Sequence, residues 1–293
     1  MKITSALITA AGFGSRFFPL TKSVQKEMLP VLNHPILDYL VDDCIAAGIE
    51  NIYLVVREDD RLVQPYYTEQ PQILEQLKRI GAEKKYAALE NLHSKANFTF
   101  IVQKPEDGYG TAVPVKLAEP YLKDQPGFLY LTGDDFILND GEGSEAGRLI
   151  TTWETAGCPQ AVLSAQQVPN EMTHRYGILE VNKSEQATWL TGFVEKPPQG
   201  SAPSNLANIS KYVFTPAIFE ALRGQQVNPQ AQELYITDTV LSLSQSGQVA
   251  VHVPTGQYLD CGSVLSWLKT NLTLALRDPE ISDDVRTMMQ SML

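Results

Sequence analysis

The sequence predicts an α/β protein built on a mostly parallel sheet, and three observations carry that prediction. Short apolar, β-branched runs alternate with helical patterns from residue 3 to residue 168, the order expected of βαβ units. The first run, ITSALIT at 3–9, leads directly into AAGFGSRFFPLTKSVQKEMLP at 10–30, a stretch carrying two glycines, an arginine and lysines. In parallel sheets ligands gather at the strands' C-terminal ends, where this stretch begins. The length of 293 residues suits one large α/β domain or two smaller ones and can bury a sizeable core.

The strand candidates, in order, are ITSALIT (3–9), NIYLVV (51–56), FTFIV (98–102), FLYLT (128–132) and QAVLSAQQV (160–168). Between them, PILDYLVDDCIAAG (35–48) has helical spacing and a terminal Gly48. A long, charged, periodic stretch over 72–92 predicts a second helix, and TAVPVKLAEPYL (111–122) a third, with Pro114 in its first turn. The loops after 3–9, 98–102 and 128–132 are expected to meet around one site. From about residue 174 the texture changes: YGILEVN, WLTGFVEKP and SNLANISKYVF are strand-like with little helix between them. That predicts a more antiparallel part, covering the sheet and holding a second ligand. Helices return at 216–223 and 263–278, and the tail after Pro279 is either a surface helix or an arm for self-association. No linker interrupts the chain. It therefore reads as one unit over 1–293, with regions at 1–173, 174–262 and 263–293.

Composition narrows the function. A net charge of −11 argues against broad nucleic-acid binding, which needs a basic footprint. Three scattered cysteines, Cys44, Cys158 and Cys261, fit neither a disulfide framework nor a CxxC metal site and are expected to be small buried residues of a cytosolic protein. Four histidines without HxxxH spacing give no zinc site. Lys2 followed by ITSALITAAGFG mimics a short signal peptide, but the apolar run is brief and leads into Arg16, Lys22 and Lys26. It reads as a buried first strand. Nothing approaches the ~18 apolar residues of a membrane span.

GFGSRF invites the dinucleotide fingerprint GxGxxG, but the third glycine position is Phe17. The acidic ribose contact about 20 residues on is missing too. A Walker A loop is also absent, so an oxidoreductase reading is weak.

With Arg16, Pro19, Lys26 and Pro30 added, the stretch GFGSRFFPLTKSVQKEMLP resembles the signature of the sugar-phosphate nucleotidyltransferases, with Ser15 where threonine is commoner. KEMLP, the insert around 70–95, QKPEDGYGTAV, TGDDF, FVEKP, APSNLA and YLDCGS follow in family order, from residue 5 to about 270. They look most like the bacterial branch that uses UTP and glucose 1-phosphate. The resemblance implies a doubly wound, Rossmann-like mixed sheet with a nucleotide-binding region over 1–173, a smaller antiparallel sugar-binding region over 174–262 and a C-terminal helical segment over 263–293. It implies uridylyl transfer to glucose 1-phosphate in the cytoplasm, no nucleic-acid or membrane partner, and leaves open assembly as a homodimer or homotetramer.

Chemistry supports the carry-over residue by residue. Both reactants are anions, so repulsion must be neutralised and geometry fixed. Gly12 and Gly14 let backbone N–H groups face a triphosphate. Arg16 can fork onto leaving-group oxygens, and Lys26 offers a point charge at the α-phosphate. Lys22 reads as solvated. Asp134, ending FLYLTGDD, and Asp260, in YLDCGS, are the positions the resemblance assigns to Mg²⁺, an ion typically held by one or two carboxylates plus substrate phosphates. Asp135 fits as an outer or water-mediated group. Gln103 and Gly108, with the backbone of Ala11 and Gly12, are assigned to the uracil, whose edge an amide suits.

For the sugar the resemblance implies Glu195 on hydroxyls, Lys196 on the phosphate and Gly177 against the ring. Adjacent strand residues point to opposite faces, so Pro197 is expected to break the strand and let both reach one ligand. Asn208 and Ser210 depart from the related pattern, which has an apolar residue and glycine there, and put the sugar's identity in question more than the reaction. No Ser-His-Asp or Cys-His pair suggests a covalent intermediate, so direct displacement is the expected route. The competing readings are a nucleotidyltransferase of other base or sugar specificity and a catalytically silent nucleotide-sugar sensor. The latter predicts missing charges, yet Arg16, Lys26, Asp134, Lys196 and Asp260 are all present.

Overall fold

The first apolar run forms β1 (Ser5–Ala10), buried along almost its whole length. Its neighbours are β4 (Asn51–Arg57) on one side and β6 (Phe128–Thr132) on the other, both parallel to it. Successive side chains of a strand face opposite ways. Ala6 and Ile8 join one apolar cluster, with Leu37 and Leu40, while Leu7 joins the other, with Val115 and Phe219. Both faces are covered, which is why the run is continuously apolar rather than alternating. Each fully buried leucine or isoleucine contributes about 1.5–3 kcal/mol.

The computed structural model describes residues 2–82, 94–139, 141 and 143–292. After β1 come the short β2 (Pro30–Val31) and β3 (His34–Pro35), then α1 (Ile36–Ala46), β4, α2 (Val63–Tyr66) and α3 (Pro71–Arg79). Next are β5 (Asn97–Gln103), α4 (Val113–Leu122), β6, β7 (Asp135–Leu138), α5 (Glu145–Thr155) and β8 (Ala161–Gln167). The remainder holds β9 (Gly177–Lys183), β10 (Thr188–Glu195), β11 (Leu206–Phe214), α6 (Ala217–Arg223), α7 (Ile236–Ser244), β12 (Val249–His252), β13 (Gln257–Asp260), α8 (Val264–Ala275) and α9 (Ser282–Met292). Helices α1 and α5 pack on one face of the sheet, and α4, α6 and α7 on the other. Among the described residues no helix is long and apolar enough to cross a membrane.

Among the described residues, nine strands form one mixed sheet in the order β5-β4-β1-β6-β11-β8-β12-β10-β9. Strands β5, β4, β1 and β6 run parallel, so their C-terminal ends and following loops share one edge. β11 is antiparallel to both neighbours, β6 and β8. β9 also bridges back to β11, so the last five strands return on themselves. A separate two-stranded arm pairs β7 with β13, placing Asp260 opposite Asp135.

Several expectations need correction. The helix expected over 72–92 stops at Arg79, because Gly81 turns the chain with φ of 64° in the left-handed region. Residues 83–93, which carry the rest of that expected helix and of the insert around 70–95, lie outside the described residues. SNLANISKYVF, expected in an antiparallel part laid over the sheet, instead enters the middle of the sheet as β11. β7 and α7 were not foreseen. Cys44 and Cys261 are buried, but Cys158 is exposed, in the turn after α5.

Candidate active site

The three loops expected to converge do so at the edge where β1, β5 and β6 end. Ala11, Gly12, Arg16, Lys26, Gln103, Asp134 and Asp260 all line one cavity of about 430 Å³. A second cavity, lined by Ala11, Phe13, Gln103, Gly108 and Tyr109, adjoins it at the Ala11–Gln103 end.

The loop after β1 is tied from behind: Gln25 Nε2 donates to the Ala10 carbonyl at 3.3 Å and Thr21 Oγ1 to the Gly14 carbonyl at 2.8 Å. Gly12 faces Lys26, where a Cβ would come within 3.2 Å of Lys26 Cε. Arg16 is exposed and its Nη1 donates to the Gly262 carbonyl at 3.3 Å. Lys22 is exposed as well. The Lys26 ammonium lies 2.7 Å from Asp134 Oδ2 and 3.8 Å from Glu27 Oε1. Burial alone would lower its pKa, but the charges of Asp134 and Glu27 outweigh that and hold it above the ordinary lysine value. For Asp134 burial works to raise the pKa, and the Lys26 charge overrides it and leaves the carboxyl below the usual range.

Asp134 and Asp260 come together through the β7–β13 ladder, reinforced by Cys261 N–H donating to the Asp134 carbonyl at 2.9 Å. Gly262 sits between them. A Cβ built there would lie 3.0 Å from Asp260 Oδ1, 3.2 Å from Asp134 Oδ2 and 3.2 Å from Arg16 Nη1. Two carboxylate oxygens thus surround one point that a side chain would fill. Among the described residues no cluster of three or more His, Cys, Asp or Glu side chains could enclose a metal ion. Two carboxylates suit a hard cation whose remaining ligands are water and substrate phosphate.

At the other end of the cavity, Gln103 Nε2 donates to the Gly108 carbonyl at 3.0 Å, so the two expected base readers are joined. Gly177, Glu195 and Lys196 form their own group. Gly177 pairs with Glu195 in the β9–β10 ladder, and a Cβ at Gly177 would lie 2.9 Å from Glu195 Oε2. Lys196 leaves the strand with φ of 45°, which breaks the alternation, and its ammonium lies 3.6 Å from Glu195 Oε1. None of these three lines the cavity that holds Arg16 and Lys26; Ser210 does. Asn208 Nδ2 donates to Tyr212 at 3.4 Å, while its buried Oδ1 has no partner.

Three residues that sequence reasoning missed complete the site. Glu27 is 1% exposed, and burial pushes its carboxyl up to about 7 against the pull of Lys26. Lys211, 4% exposed, donates to the Thr132 carbonyl at 3.2 Å and pairs with Asp135 Oδ1. Tyr258 donates to Asp135 Oδ2 at 2.6 Å, and Thr132 Oγ1 to Asp135 Oδ1 at 3.0 Å. Asp135 is therefore saturated by protein donors, which suits an outer position rather than ligation. The signal for Lys211 was available: a lone cation inside the apolar run NISKYVF. Its side chain is aimed inward next to a register shift between Ile209 and Tyr212.

A family model described as Nucleotidyl transferase matches residues 5–276. A UTP–glucose-1-phosphate uridylyltransferase of Bacillus subtilis (strain 168) is 35% identical over 293 residues, 100% of this chain and 98% of that protein. Among solved structures, a UDP-glucose pyrophosphorylase from Acinetobacter baumannii superposes with a TM-score of 0.85 at 26% identity, covering 100% of both chains. A UTP-bound structure from the same organism gives 0.84 at 28% identity, covering 99% of each.

Proposed function

The chain belongs to the nucleotidyl transferase family, and from that premise we propose that it transfers the uridylyl group of UTP to glucose 1-phosphate, releasing UDP-glucose and pyrophosphate. One observation carries the reading beyond the family. Arg16, Lys26, Asp134 and Asp260 face a single cavity, and the Ala11, Gln103 and Gly108 group meets it at one end. Shared lining of this kind supports the reading, since charges suited to phosphate and an amide suited to a base edge open onto adjoining cavities.

The step is a direct displacement. An anionic phosphate oxygen of glucose 1-phosphate attacks the α-phosphorus of UTP, the new P–O bond forms, and the bond to the β-phosphate oxygen breaks to release pyrophosphate. No general base is needed, because the nucleophile is already ionised at neutral pH. Arg16 neutralises the departing pyrophosphate, and Lys26 the α-phosphate. Asp134 and Asp260 would hold Mg²⁺, which when bound supplies charge neutralisation at the phosphate oxygens. Gln103, Gly108 and the Ala11–Gly12 backbone read uracil, and Gly14 leaves the loop's N–H groups open to the phosphates. Glu195 takes sugar hydroxyls, Lys196 the sugar phosphate, and Gly177 leaves room for the ring. Regions 1–173, 174–262 and 263–293 then divide nucleotide binding, sugar binding and the C-terminal helices. The reading includes a cytoplasmic location for the reaction.

The test is kcat/KM for pyrophosphate release with UTP, dTTP, CTP, ATP and GTP, each against a panel of sugar 1-phosphates. UTP with glucose 1-phosphate is expected to lead. A preference for ATP or GTP would sink the uridylyl assignment, and a preference for another sugar phosphate would sink the glucose assignment.

A further inference from the structure

Two triplets in the sequence match each other: Gly12-Phe13-Gly14 and Gly108-Tyr109-Gly110. In the fold their aromatic rings stack, with centroids 5.4 Å apart and planes 26° from parallel. Phe13 and Tyr109 are 55% and 40% exposed, so the stack does not serve to fill the core. The Arg57 guanidinium also lies over the Phe13 ring, 5.7 Å from its centroid, and is itself held by Asp59 at 2.9 Å. Arg57 ends β4 and pairs in register with Gln103, which ends β5. The three side chains therefore join three adjacent strand ends, those of β1, β4 and β5.

The two triplets sit on separate loops, and β4 lies between the strands that precede them. Each loop is fixed within its own surroundings. Leu234 N–H donates to the Tyr109 carbonyl at 2.9 Å, and Gly110, at φ of 118°, leaves no room for a Cβ beside the Leu234 backbone. Among the described residues no hydrogen bond joins residues 11–14 to residues 103–111. Below the surface Ala11 shares an apolar cluster with Ala112 and Val113, and at the mouth of the cavity the ring stack joins one loop to the other. It lies beside the residues proposed to read the base, since Phe13 and Tyr109 line the same cavity as Ala11, Gln103 and Gly108.

We infer that the Phe13–Tyr109 stack is a specificity device: it sets the spacing between the Ala11–Gly12 backbone and the Gln103–Gly108 pair so that a pyrimidine ring is admitted and a purine is not. The inference rests on the uridylyl reading above. Aromatic pairs favour a fixed offset geometry, and a rigid spacer of that kind holds a slot to one width where a flexible aliphatic pair would not. Discrimination by slot size is modest for each contact, so loosening the slot is expected to relax it by about tenfold.

The experiment measures kcat/KM for UTP and for ATP on wild type, Phe13→Ala, Tyr109→Ala, the double variant, and Tyr109→Phe. The UTP/ATP ratio is internal to each preparation, so a loss of folded protein cancels. We expect the ratio to fall about tenfold in each alanine variant, to fall no further in the double variant, and to be kept in Tyr109→Phe, which preserves the stack. A UTP-selective wild type whose alanine variants keep the full ratio, even with both values reduced together, overturns this inference alone. A wild type that uses ATP as well as UTP overturns the uridylyl reading, and this inference with it.

Discussion

Replacing Gly262 by alanine tests the proposed metal position without removing a ligand. Gly262 N–H donates to Asp260 Oδ1 at 2.8 Å, and its carbonyl accepts from Arg16. Its φ lies outside the left-handed region, so alanine adds no backbone strain. The new methyl would stand 3.0 Å from Asp260 Oδ1 and 3.2 Å from Asp134 Oδ2, closer than ordinary van der Waals contact. Each oxygen must retreat by a few tenths of an ångström, and Asp260 cannot do so without loosening its bond to the Gly262 N–H. Mg²⁺ tolerates little of this, since its oxygen ligands sit at about 2.0–2.1 Å in near-ideal octahedral geometry. Changes just outside a metal's ligands typically cost about 10–100-fold in affinity or activity. The expected result is a rise of that size in the Mg²⁺ concentration giving half-maximal pyrophosphate release at saturating UTP and glucose 1-phosphate. Folding should be nearly unaffected, because a glycine-to-alanine change at a compatible backbone gains about 0.4–1 kcal/mol through the unfolded chain, which offsets the local crowding. A Gly262→Ala protein with a wild-type melting curve and a superimposable Mg²⁺ titration would refute the two-carboxylate reasoning.

Lys26→Ala is expected to lower kcat by about 10²–10³-fold, the usual cost of one charge-assisted contact aimed at the transition state. Its Mg²⁺ requirement should not rise, because Asp134 loses a competing partner at 2.7 Å; near-normal turnover would place Lys26 outside the chemistry. Glu27 predicts a pH signature. Its folded-state value of about 7 exceeds the ordinary glutamate value, near 4.3, so the native state holds this proton more tightly. Its contribution to stability is present below about pH 4.3 and is lost as pH rises through 7. Between pH 5 and 7.5 the urea midpoint of wild type should therefore fall relative to Glu27→Gln; parallel curves would exclude the effect. Lys211→Met strands Asp135 as a buried carboxylate and should cost about 3–5 kcal/mol, read by urea unfolding. Combining it with Asp135→Asn should recover part of that loss, and strictly additive losses would show that the two side chains are not coupled.

What the sequence made legible was local. The loop from Gly12 to Lys26 declares itself because its glycines and cations cluster and follow a core strand, and Asp134 because it comes two residues after one. Asp260 stood out only through the resemblance, since the β7–β13 ladder that brings it to Asp135 joins residues more than a hundred positions apart. The path of β11 into the middle of the sheet is invisible for a similar reason: NISKYVF reads as a strand, but nothing in it names its neighbours. Burial is the other missing quantity. KEM shows a cation beside an acid, and only the fold makes Glu27 inaccessible and its proton tightly held. Burial also explains why Lys26 rests on Asp134. The Lys26 charge holds Asp134 below the ordinary carboxylate range, and a half-buried charge of this kind gains from a counterion. Lys26 is the cation the loop can deliver, at 2.7 Å. On the proposed mechanism, a triphosphate with its metal would supply Asp134 with a different cation and Lys26 with a different anion. The pairing would then let the same two charges offset each other within the protein and turn to phosphate and metal in the complex, a double use that a solvated lysine does not have.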